Sequence, residues 1–258
     1  MNRIDQLFRD KSENILSIYF TAGFPALEDT RVIMRSLEEA GADIIEIGVP
    51  YSDPVADGPT IQESNKTALE NGMSLKKLFA QLEDMRGEIK IPVILMGYLN
   101  PIYQYGMEAF CKKCQEIGVD GIIVPDLPMQ QYLEEFKEMF DRYNLRNTFL
   151  ISPQTSERRI REIDEHSDGF IYMVSSHSIT GAKAGITDAQ IGYFQSVRAM
   201  NLKSPRLIGF GISDHDSFVK ASTYSNGAII GSAFIKVLQN TGNMEENIKT
   251  YIRGIKQA

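Results

Sequence analysis

Three acidic residues in one short segment are the first candidates for chemistry in this sequence. The segment EIGVPYSDPVADGPTIQ covers residues 46–62 and contains Glu46, Asp53 and Asp57. Carboxyl groups this close together can divide acid and base work or hold two ends of one substrate. A metal site is less favoured, because the segment offers few further ligands and the three histidines are scattered along the chain. We therefore predict acid-base chemistry without a metal.

Glu46 is the least expected of these residues, because it lies inside the apolar run DIIEIGV, residues 43–49. Strand alternation places Glu46 on one face with Ile44 and Gly48, and the β-branched residues on the other. If the β-branched face packs against helices, Glu46 points into the centre of a barrel. Burial then raises the pKa of Glu46 and suits it to exchange protons near neutral pH. The alternative is a glutamate neutralised by a cation, but the predicted strand ends offer none.

The residues after this run predict a shaped loop rather than a plain connection. Two prolines restrict its backbone, and we expect Gly58 to take the positive φ with which the chain turns back. An aspartate held in the loop, Asp53 or Asp57, can meet the other end of a substrate that Glu46 also touches. The alternative, that both aspartates only cap turns or the next helix, stays equally open.

Short apolar runs rich in β-branched residues recur along the whole chain and predict the strands of the fold. Between them, DTRVIMRSLEEAG and PMQQYLEEFKEMFDRYN carry apolar residues at helical spacing, with Leu133, Phe136 and Phe140 on one face of the second. Alternating strands and helices predict a parallel sheet covered by helices. The predicted strands are residues 15–21, 43–49, 92–98, 121–126, 147–152, 169–175, 206–211 and 227–232.

Eight such units favour a closed (β/α)8 TIM barrel with extra short helices, formed as a single domain over residues 1–258. An open doubly wound sheet is the alternative. That fold usually carries a Gly-x-Gly-x-x-Gly turn after its first strand, and AGFPALED at this position lacks the pattern. In a barrel, the loops after the strands form the catalytic face.

Two glycine-containing turns late in the chain predict a phosphate site. The seventh predicted strand ends in GFGIS and the eighth continues as IIGSAFIK, so that Gly231 and Ser232 precede a short apolar helix. Loops after the last two strands of a barrel often bind phosphate through backbone N–H groups. Plain turn glycines are the alternative. The sixth strand runs into SSHSITGAKAG, which can close over a ligand or form an ordinary surface loop.

Composition excludes several classes of protein. The net charge of −7 and the pI near 5.1 argue against a nucleic-acid partner. No uncharged apolar run approaches about 18 residues and no apolar signal region is present, so we predict a cytoplasmic protein with no membrane partner. Cys111 and Cys114 form a C-x-x-C pair without a second ligand pair, and we expect reduced, structural thiols.

Taken in order, these motifs resemble the tryptophan synthase alpha subunit family along the length of the chain. EIGVPYSDPVADGPTIQ is similar to that family's signature at nearly every position. TAGFP, LMGYLNPIYQYG, VPDLP, SITGAKAG, GFGIS and GSAFIK follow in the family's order. The resemblance implies a TIM barrel with a phosphate site after its seventh and eighth strands.

The resemblance also implies a lyase reaction, in which indole-3-glycerol phosphate is cleaved by a retro-aldol step to indole and D-glyceraldehyde 3-phosphate without a cofactor. The bond to indole C3 breaks once C3 is protonated, and a base then removes the proton of the side-chain hydroxyl. Glu46 matches the family's catalytic glutamate and would move both protons. Asp57 matches the aspartate that accepts a hydrogen bond from the indole N–H.

Other site residues follow from the same resemblance. Thr180 would hydrogen-bond Asp57 when the loop closes, although Ser176 and Ser178 stand where many relatives carry an Arg and a Gly, and the role of His177 between them stays open. The implied substrate-binding residues are Tyr19, Met96 and Leu127 around the indole, Tyr172, Thr180 and Gly181 near the reaction centre, and Phe210, Gly211, Gly231 and Ser232 at the glycerol phosphate.

The family's assembly predicts a partner. Its members work as αββα complexes, in which indole passes to a beta subunit that holds pyridoxal phosphate, so we expect that cofactor only in the partner. Asp53 and Pro54 would face the beta subunit. Three alternatives stay open: a stand-alone indole-3-glycerol-phosphate lyase, another phosphosugar-metabolising TIM barrel, and a protein that only binds indole phosphates or activates a beta subunit.

Overall fold

Parallel strands arranged in a ring form the centre of the protein in a computed structural model that describes residues 1–175, 186–209 and 211–257. The strand order is β5-β4-β3-β2-β1-β9-β8-β7-β6. The strands are Ile15–Thr21 (β1), Ile44–Gly48 (β2), Val93–Met96 (β3), Gly121–Ile123 (β4), Arg146–Asn147 (β5), Phe149–Ile151 (β6), Ile171–Val174 (β7), Arg206–Gly209 (β8) and Gly227–Ile230 (β9).

The fifth predicted strand closes this ring. Residues 147–152 are predicted to form one strand, whereas the structure has two short strands, Arg146–Asn147 and Phe149–Ile151, so the predicted bounds are wrong. On one side β5 pairs with β4, and on the other β6 pairs with β7. The two short strands are therefore halves of one staggered barrel strand, and the predicted (β/α)8 barrel is confirmed. Its description as a single domain over residues 1–258 stays a prediction.

Helices surround the ring. Asn2, Ser74, Ser156, Thr187, Asp214 and Asn243 each accept a backbone N–H at a helix start. The described helices are Arg3–Asp10 (α1), Thr30–Ala40 (α2), Pro59–Glu70 (α3), Leu75–Gln81 (α4), Leu99–Tyr105 (α5), Met107–Ile117 (α6), Met129–Gln131 (α7), Lys137–Arg142 (α8), Glu157–His166 (α9), Asp188–Ala199 (α10), His215–Ser222 (α11), Ser232–Leu238 (α12) and Met244–Lys256 (α13).

One predicted helix differs in detail from the structure. A π-helical turn, Tyr132–Phe136, joins α7 to α8. Tyr132 joins Phe136 and Phe140 on the buried face of this segment, beside the predicted Leu133, which packs against the apolar core. Tyr132 is fully buried and its ring lies edge-on to that of Phe140, whereas Leu133 is only partly buried.

The apolar core has two parts that position the candidate site. The larger part lies between the strands and the helices and includes Cys111 and Cys114, both buried free thiols. The smaller part lies inside the barrel and contains Ile15, Ile44, Ile94, Ile123, Phe170, Leu207 and Ile229. Within this smaller part, Ile44 lies two residues before Glu46 on β2 and Ile94 lies level with Glu46 on β3, so Glu46 lies among apolar residues. No helix in the described ranges is long and apolar enough to span a membrane.

Candidate active site

Glu46 points into the barrel, as strand alternation predicts, two residues beyond Ile44 on β2. Its side chain is completely buried. The Ser17 hydroxyl donates a hydrogen bond of 2.5 Å to Glu46 Oε1, while Oε2 is buried and has no hydrogen-bond partner in the part of the chain that the structure describes. Burial raises the pKa of Glu46 to about 7, and the hydrogen bond from Ser17 opposes that rise. A carboxyl group with this pKa can donate or accept a proton near neutrality.

The strands beside β2 explain why Glu46 stays unpaired. It lies level with Tyr19 on β1 and with Ile94 on β3. Neither neighbour is a cation, and no described cation contributes to the shift in its pKa. Within the described residues, the interpretation of Glu46 as a neutralised structural glutamate therefore has no support.

Asp57 is the second buried carboxyl group of the candidate site, with 7 % of its surface exposed. The Tyr98 hydroxyl donates to Asp57 Oδ2 at 3.2 Å and accepts from the Ala56 N–H at 2.9 Å. Burial raises the pKa of Asp57 to about 6, and the hydrogen bond from Tyr98 acts against that rise. The Tyr98 hydroxyl therefore binds both the Asp57 side chain and the backbone of the residue before it, and Tyr98 itself follows β3.

The loop that carries Asp57 is braced by its neighbours. Tyr51 stacks on Tyr98 with 5.0 Å between ring centroids, and its N–H donates to Asn65 Oδ1 at 3.0 Å. The prediction of a positive φ at Gly58 is wrong. Its φ is −74°, and it forms the N-cap of α3. Since Pro59 begins α3 with its φ already near the helical value, the chain turns without a left-handed residue.

Two tyrosines line the space between these carboxyl groups. Tyr19 and Tyr172 are each 6 % exposed. Burial raises the pKa of both phenols, and the charges of Asp57 and Glu46 raise both further. Tyr19 also lies level with Glu46 across the pair of β1 and β2.

Glycines on the neighbouring strands give the two phenols room. A Cβ on Gly48 would lie 2.2 Å from the Tyr19 hydroxyl oxygen, and a Cβ on Gly209 would lie 2.4 Å from that of Tyr172. In each pair the glycine lies two residues beyond the strand partner of the tyrosine. The same packing therefore occurs at two strand pairs of the barrel, β1 with β2 and β7 with β8.

The other predicted substrate contacts are partly placed. Leu127 is buried in the turn after β4, and Met96 is partly buried at the end of β3. Gly211 has a φ of +80°, and among the described residues the nearest atom to the position of a Cβ is Ser175 Oγ at 4.0 Å. Gly231 is the N-cap of α12 without a side-chain cap, and Ser232 is its first residue. Thr180, Gly181 and Phe210 lie outside the described residues, as does His177.

The outer rim of the site differs from its interior. Asp53 is exposed and accepts a hydrogen bond of 2.6 Å from the Ser52 hydroxyl. Pro54 is buried, unlike its neighbours Asp53 and Val55. Val55 next to it is 77 % exposed. Among the described residues, no group of three or more His, Cys, Asp or Glu side chains is placed to hold a metal ion.

Sequence reasoning missed the two residues that hold the acids. Ser17 is a polar residue inside ILSIYFT, on the same face as Tyr19, and this inward polar position is a signal that alternation could have found. Tyr98 follows β3 within the LMGYLNP motif, but its reach across to Asp57 depends on the folded path of the loop. The pattern therefore locates the acids better than it locates their partners.

Comparison with known proteins gives a consistent result. The profile of one family, described as tryptophan synthase alpha chain, matches residues 6–257. The chain is similar to the tryptophan synthase alpha chain of Flavobacterium psychrophilum, with 57 % identity over 242 residues, which cover 94 % of this chain and 95 % of that protein. The alpha chain of Parabacteroides distasonis is 51 % identical over 257 residues, with both chains fully covered.

Solved structures give the same answer for the fold. The crystal structure of the tryptophan synthase alpha subunit from Legionella pneumophila str. Paris superposes with a TM-score of 0.89 at 31 % identity and covers 100 % of this chain and 98 % of that one. An alpha subunit mutant from Pyrococcus furiosus gives a TM-score of 0.86 at 33 % identity, covering 96 % of this chain and 100 % of that one. On these matches, this protein belongs to the tryptophan synthase alpha chain family.

Proposed function

We propose that this chain catalyses the alpha reaction of tryptophan synthase, the carbon–carbon cleavage of indole-3-glycerol phosphate to indole and D-glyceraldehyde 3-phosphate. Family membership supports the reaction, and one structural observation carries the assignment of its chemistry. Glu46 is a completely buried carboxyl group whose pKa is raised to about 7, and one of its oxygens has no hydrogen-bond partner among the described residues. Such a group suits a single residue that both gives and takes a proton.

Glu46 enters the reaction as the carboxylic acid. It donates its proton to indole C3, which makes the ring an electron acceptor and leaves Glu46 as the carboxylate. The carboxylate then removes the proton of the side-chain hydroxyl, the oxygen forms a carbonyl, and the bonding electrons between carbon and C3 return to the indole ring. Glu46 regains the proton that it gave, so the cycle needs no external acid or base.

Asp57 supports this step from the other end of the indole. Its carboxylate accepts the hydrogen bond of the indole N–H and stabilises the positive charge that develops on the ring when C3 is protonated. Tyr98 fixes one oxygen of Asp57 and leaves the other available. Glu46 thus starts the reaction protonated and Asp57 starts it ionised, consistent with pKa values of about 7 and about 6.

The rest of the substrate has matching surfaces. Tyr19, Met96, Leu127 and Tyr172 offer an aromatic and apolar enclosure for the indole. Gly211 and the start of α12 offer backbone N–H groups to the phosphate. Thr180, Gly181 and Phe210 complete this proposal from sequence resemblance alone.

The proposed partner is a tryptophan synthase beta subunit in an αββα complex. Exposed Asp53 and Val55 on the rim of the mouth support this, because an apolar side chain that is 77 % exposed beside the site suits a contact surface. The chemistry is proton transfer by Glu46 and charge stabilisation by Asp57, so this chain needs no cofactor, and pyridoxal phosphate belongs to the beta subunit.

The test is indole release from indole-3-glycerol phosphate by the purified chain, with and without a beta subunit. The assay without the beta subunit contains no added pyridoxal phosphate. We expect indole and glyceraldehyde 3-phosphate in equal amounts, with a rate that rises when the partner is added. A high rate that ignores the partner would identify a stand-alone lyase. Absence of both products under every condition, with the barrel folded, would contradict the proposed function.

A further inference from the structure

Ser17 makes the one described hydrogen bond to the Glu46 carboxyl group. The contact, 2.5 Å from Ser17 Oγ to Glu46 Oε1, joins two side chains that are both 0 % exposed. Tyr19, not Ser17, lies level with Glu46 across the strand pair, and Ser17 lies level with Ile44. The serine hydroxyl therefore reaches the carboxyl group from the N-terminal side of the barrel, opposite the mouth by which a substrate enters.

This geometry divides the two carboxyl oxygens. Oε1 is held by a residue in the middle of a strand that pairs on both sides, with β2 and with β9, so the hydroxyl has little freedom to move away. Oε2 has no partner in the described part of the chain. One oxygen is thus fixed and the other is left for proton exchange.

We propose that Ser17 is a positioning residue for the cleavage: its hydroxyl fixes Glu46 Oε1, leaves Oε2 to exchange the proton with substrate, and stabilises the carboxylate that forms when C3 is protonated. This inference rests on the proposed role of Glu46. Hydrogen bonds to a charged acceptor are stronger than those to a neutral one, so Ser17 binds Glu46 more tightly after the proton has left.

Among the described groups around Glu46, the Ser17 hydroxyl is the main one that stabilises the carboxylate. Tyr19 on β1 and Tyr172 on β7 are the titratable groups that face it, with Asp57 and Tyr98 beyond them. The neighbouring position on β3 is Ile94. Every one of these groups is neutral or acidic. The hydrogen bond from Ser17 is accordingly the described interaction that lowers the pKa of Glu46 against the effect of burial.

The test compares Ser17→Val with Ser17→Thr, because valine and threonine have nearly the same shape and differ by the hydroxyl. Turnover and KM for indole-3-glycerol phosphate are measured from about pH 5.5 to pH 9 in complex with a beta subunit, a range that brackets the pKa of a perturbed carboxyl group. Ser17→Val should lower kcat about tenfold, the loss of a hydrogen bond to a charged group, and leave KM nearly unchanged. Ser17→Thr should recover most of that loss.

The pH profile separates positioning from simple structural support. Because the valine variant lacks the group that stabilises the carboxylate, the pKa of Glu46 should rise and the alkaline limb of kcat should move to higher pH. The same rise should appear in a direct titration of the carboxyl carbon by NMR with 13C-labelled glutamate, assigned by the signal that disappears in Glu46→Gln. That titration does not depend on activity.

The outcomes are distinct. If Ser17→Val keeps the wild-type kcat, or exceeds it, or if its Glu46 signal titrates at the wild-type pH while Glu46→Gln is inactive, the inference about Ser17 is wrong and the proposed function stands. If Glu46→Gln itself keeps wild-type turnover, the proposed role of Glu46 fails first. A valine variant with raised titration, reduced kcat and recovery by threonine would support Ser17 as the positioning residue.

Discussion

Asp120 and Glu46 are both buried acids beside parallel strands, yet opposite ends of the barrel supply them with different partners. Asp120 precedes β4 at the N-terminal end and is 3 % exposed. Its carboxylate accepts hydrogen bonds from Arg3 at 3.0 Å, from the backbone N–H of Val93 at 2.9 Å and from Arg86. Glu46 lies within β2, and its one hydrogen bond among the described residues comes from the Ser17 hydroxyl.

The same contrast holds beyond this pair. Asp43, just before β2, accepts from Lys11 at 2.7 Å, from Lys256 at 3.1 Å and from the N–H of Leu16 at 2.8 Å. Asp57 at the mouth has Tyr98 in place of a cation. At the N-terminal end the buried acids accept hydrogen bonds from cations and backbone N–H groups, whereas at the mouth Glu46 and Asp57 accept them from neutral hydroxyl groups.

This difference teaches where the barrel gains stability and where it gives some up. Removing one partner of a buried ion pair strongly destabilises the folded protein, because the other charge is left buried alone. An unpaired buried acid costs stability when it ionises, but its shifted pKa is what proton transfer near neutral pH requires. The N-terminal end of a TIM barrel serves stability and the C-terminal end serves catalysis.

The largest effect expected from this comparison is on stability at the N-terminal end. Asp120→Asn leaves the largely buried Arg86 without its carboxylate and should lower the free energy of unfolding by about 3 kcal/mol or more. Urea unfolding measures this, with Glu138→Gln on exposed α8 as the control that should change stability by less than about 0.5 kcal/mol. Indole release per folded molecule should not change, and a large loss of activity would break the comparison.

The pH dependence of stability should show the opposite behaviour at the mouth. Because the folded state raises the pKa of Glu46 from 4.5 to about 7, the folded protein holds this proton more tightly than the unfolded chain. The favourable contribution is complete below pH 4.5 and is lost as pH rises towards about 7, by about 3 kcal/mol in all. Unfolding of wild type and Glu46→Gln between pH 5 and pH 8 checks this. We expect the variant to gain stability relative to wild type as pH rises, and parallel curves would contradict the account.

Asp57→Asn should reduce indole release at least about a hundredfold, the lower range for a positioned charge-stabilising group. The amide keeps the size of the side chain but lacks the negative charge that stabilises the protonated indole. Steady-state kinetics with the beta subunit present measure the loss. A reduction of less than about threefold would show that Asp57 only shapes the loop.

Tyr98→Phe should give the smallest effect, because it removes one hydrogen bond to Asp57 and keeps the ring stacked on Tyr51. Since the hydroxyl lowers the pKa of Asp57, its loss should move the acid limb of the activity profile upwards from about pH 6. We expect about a threefold loss at pH 6, where a raised pKa leaves less of Asp57 ionised, and nearly wild-type activity at pH 8, where the carboxylate predominates in both proteins. An unchanged acid limb would mean that Tyr98 does not act through Asp57.

The sequence predicts the barrel and the acids because both depend on local patterns. Alternation along β2 determines that Glu46 shares the inward face of Ile44, and the repeated runs determine the parallel sheet. The contacts from Ser17 to Glu46 and from Tyr98 to Asp57 depend on strand register and loop path, which single-sequence periodicity does not specify. The π-helical turn at Tyr132–Phe136 is likewise not specified by the apolar spacing.

The central claim, that the unpaired Glu46 carries the proton between hydroxyl and indole C3, is tested most directly by a single turnover. Enzyme in excess over indole-3-glycerol phosphate, with the beta subunit present, is stopped with acid at intervals and the indole is measured for wild type and Glu46→Gln. The account predicts substrate binding within about threefold of wild type and indole formation about a thousandfold slower, within the range for a lost general acid-base group. Indole formation within about threefold of the wild-type rate would contradict it.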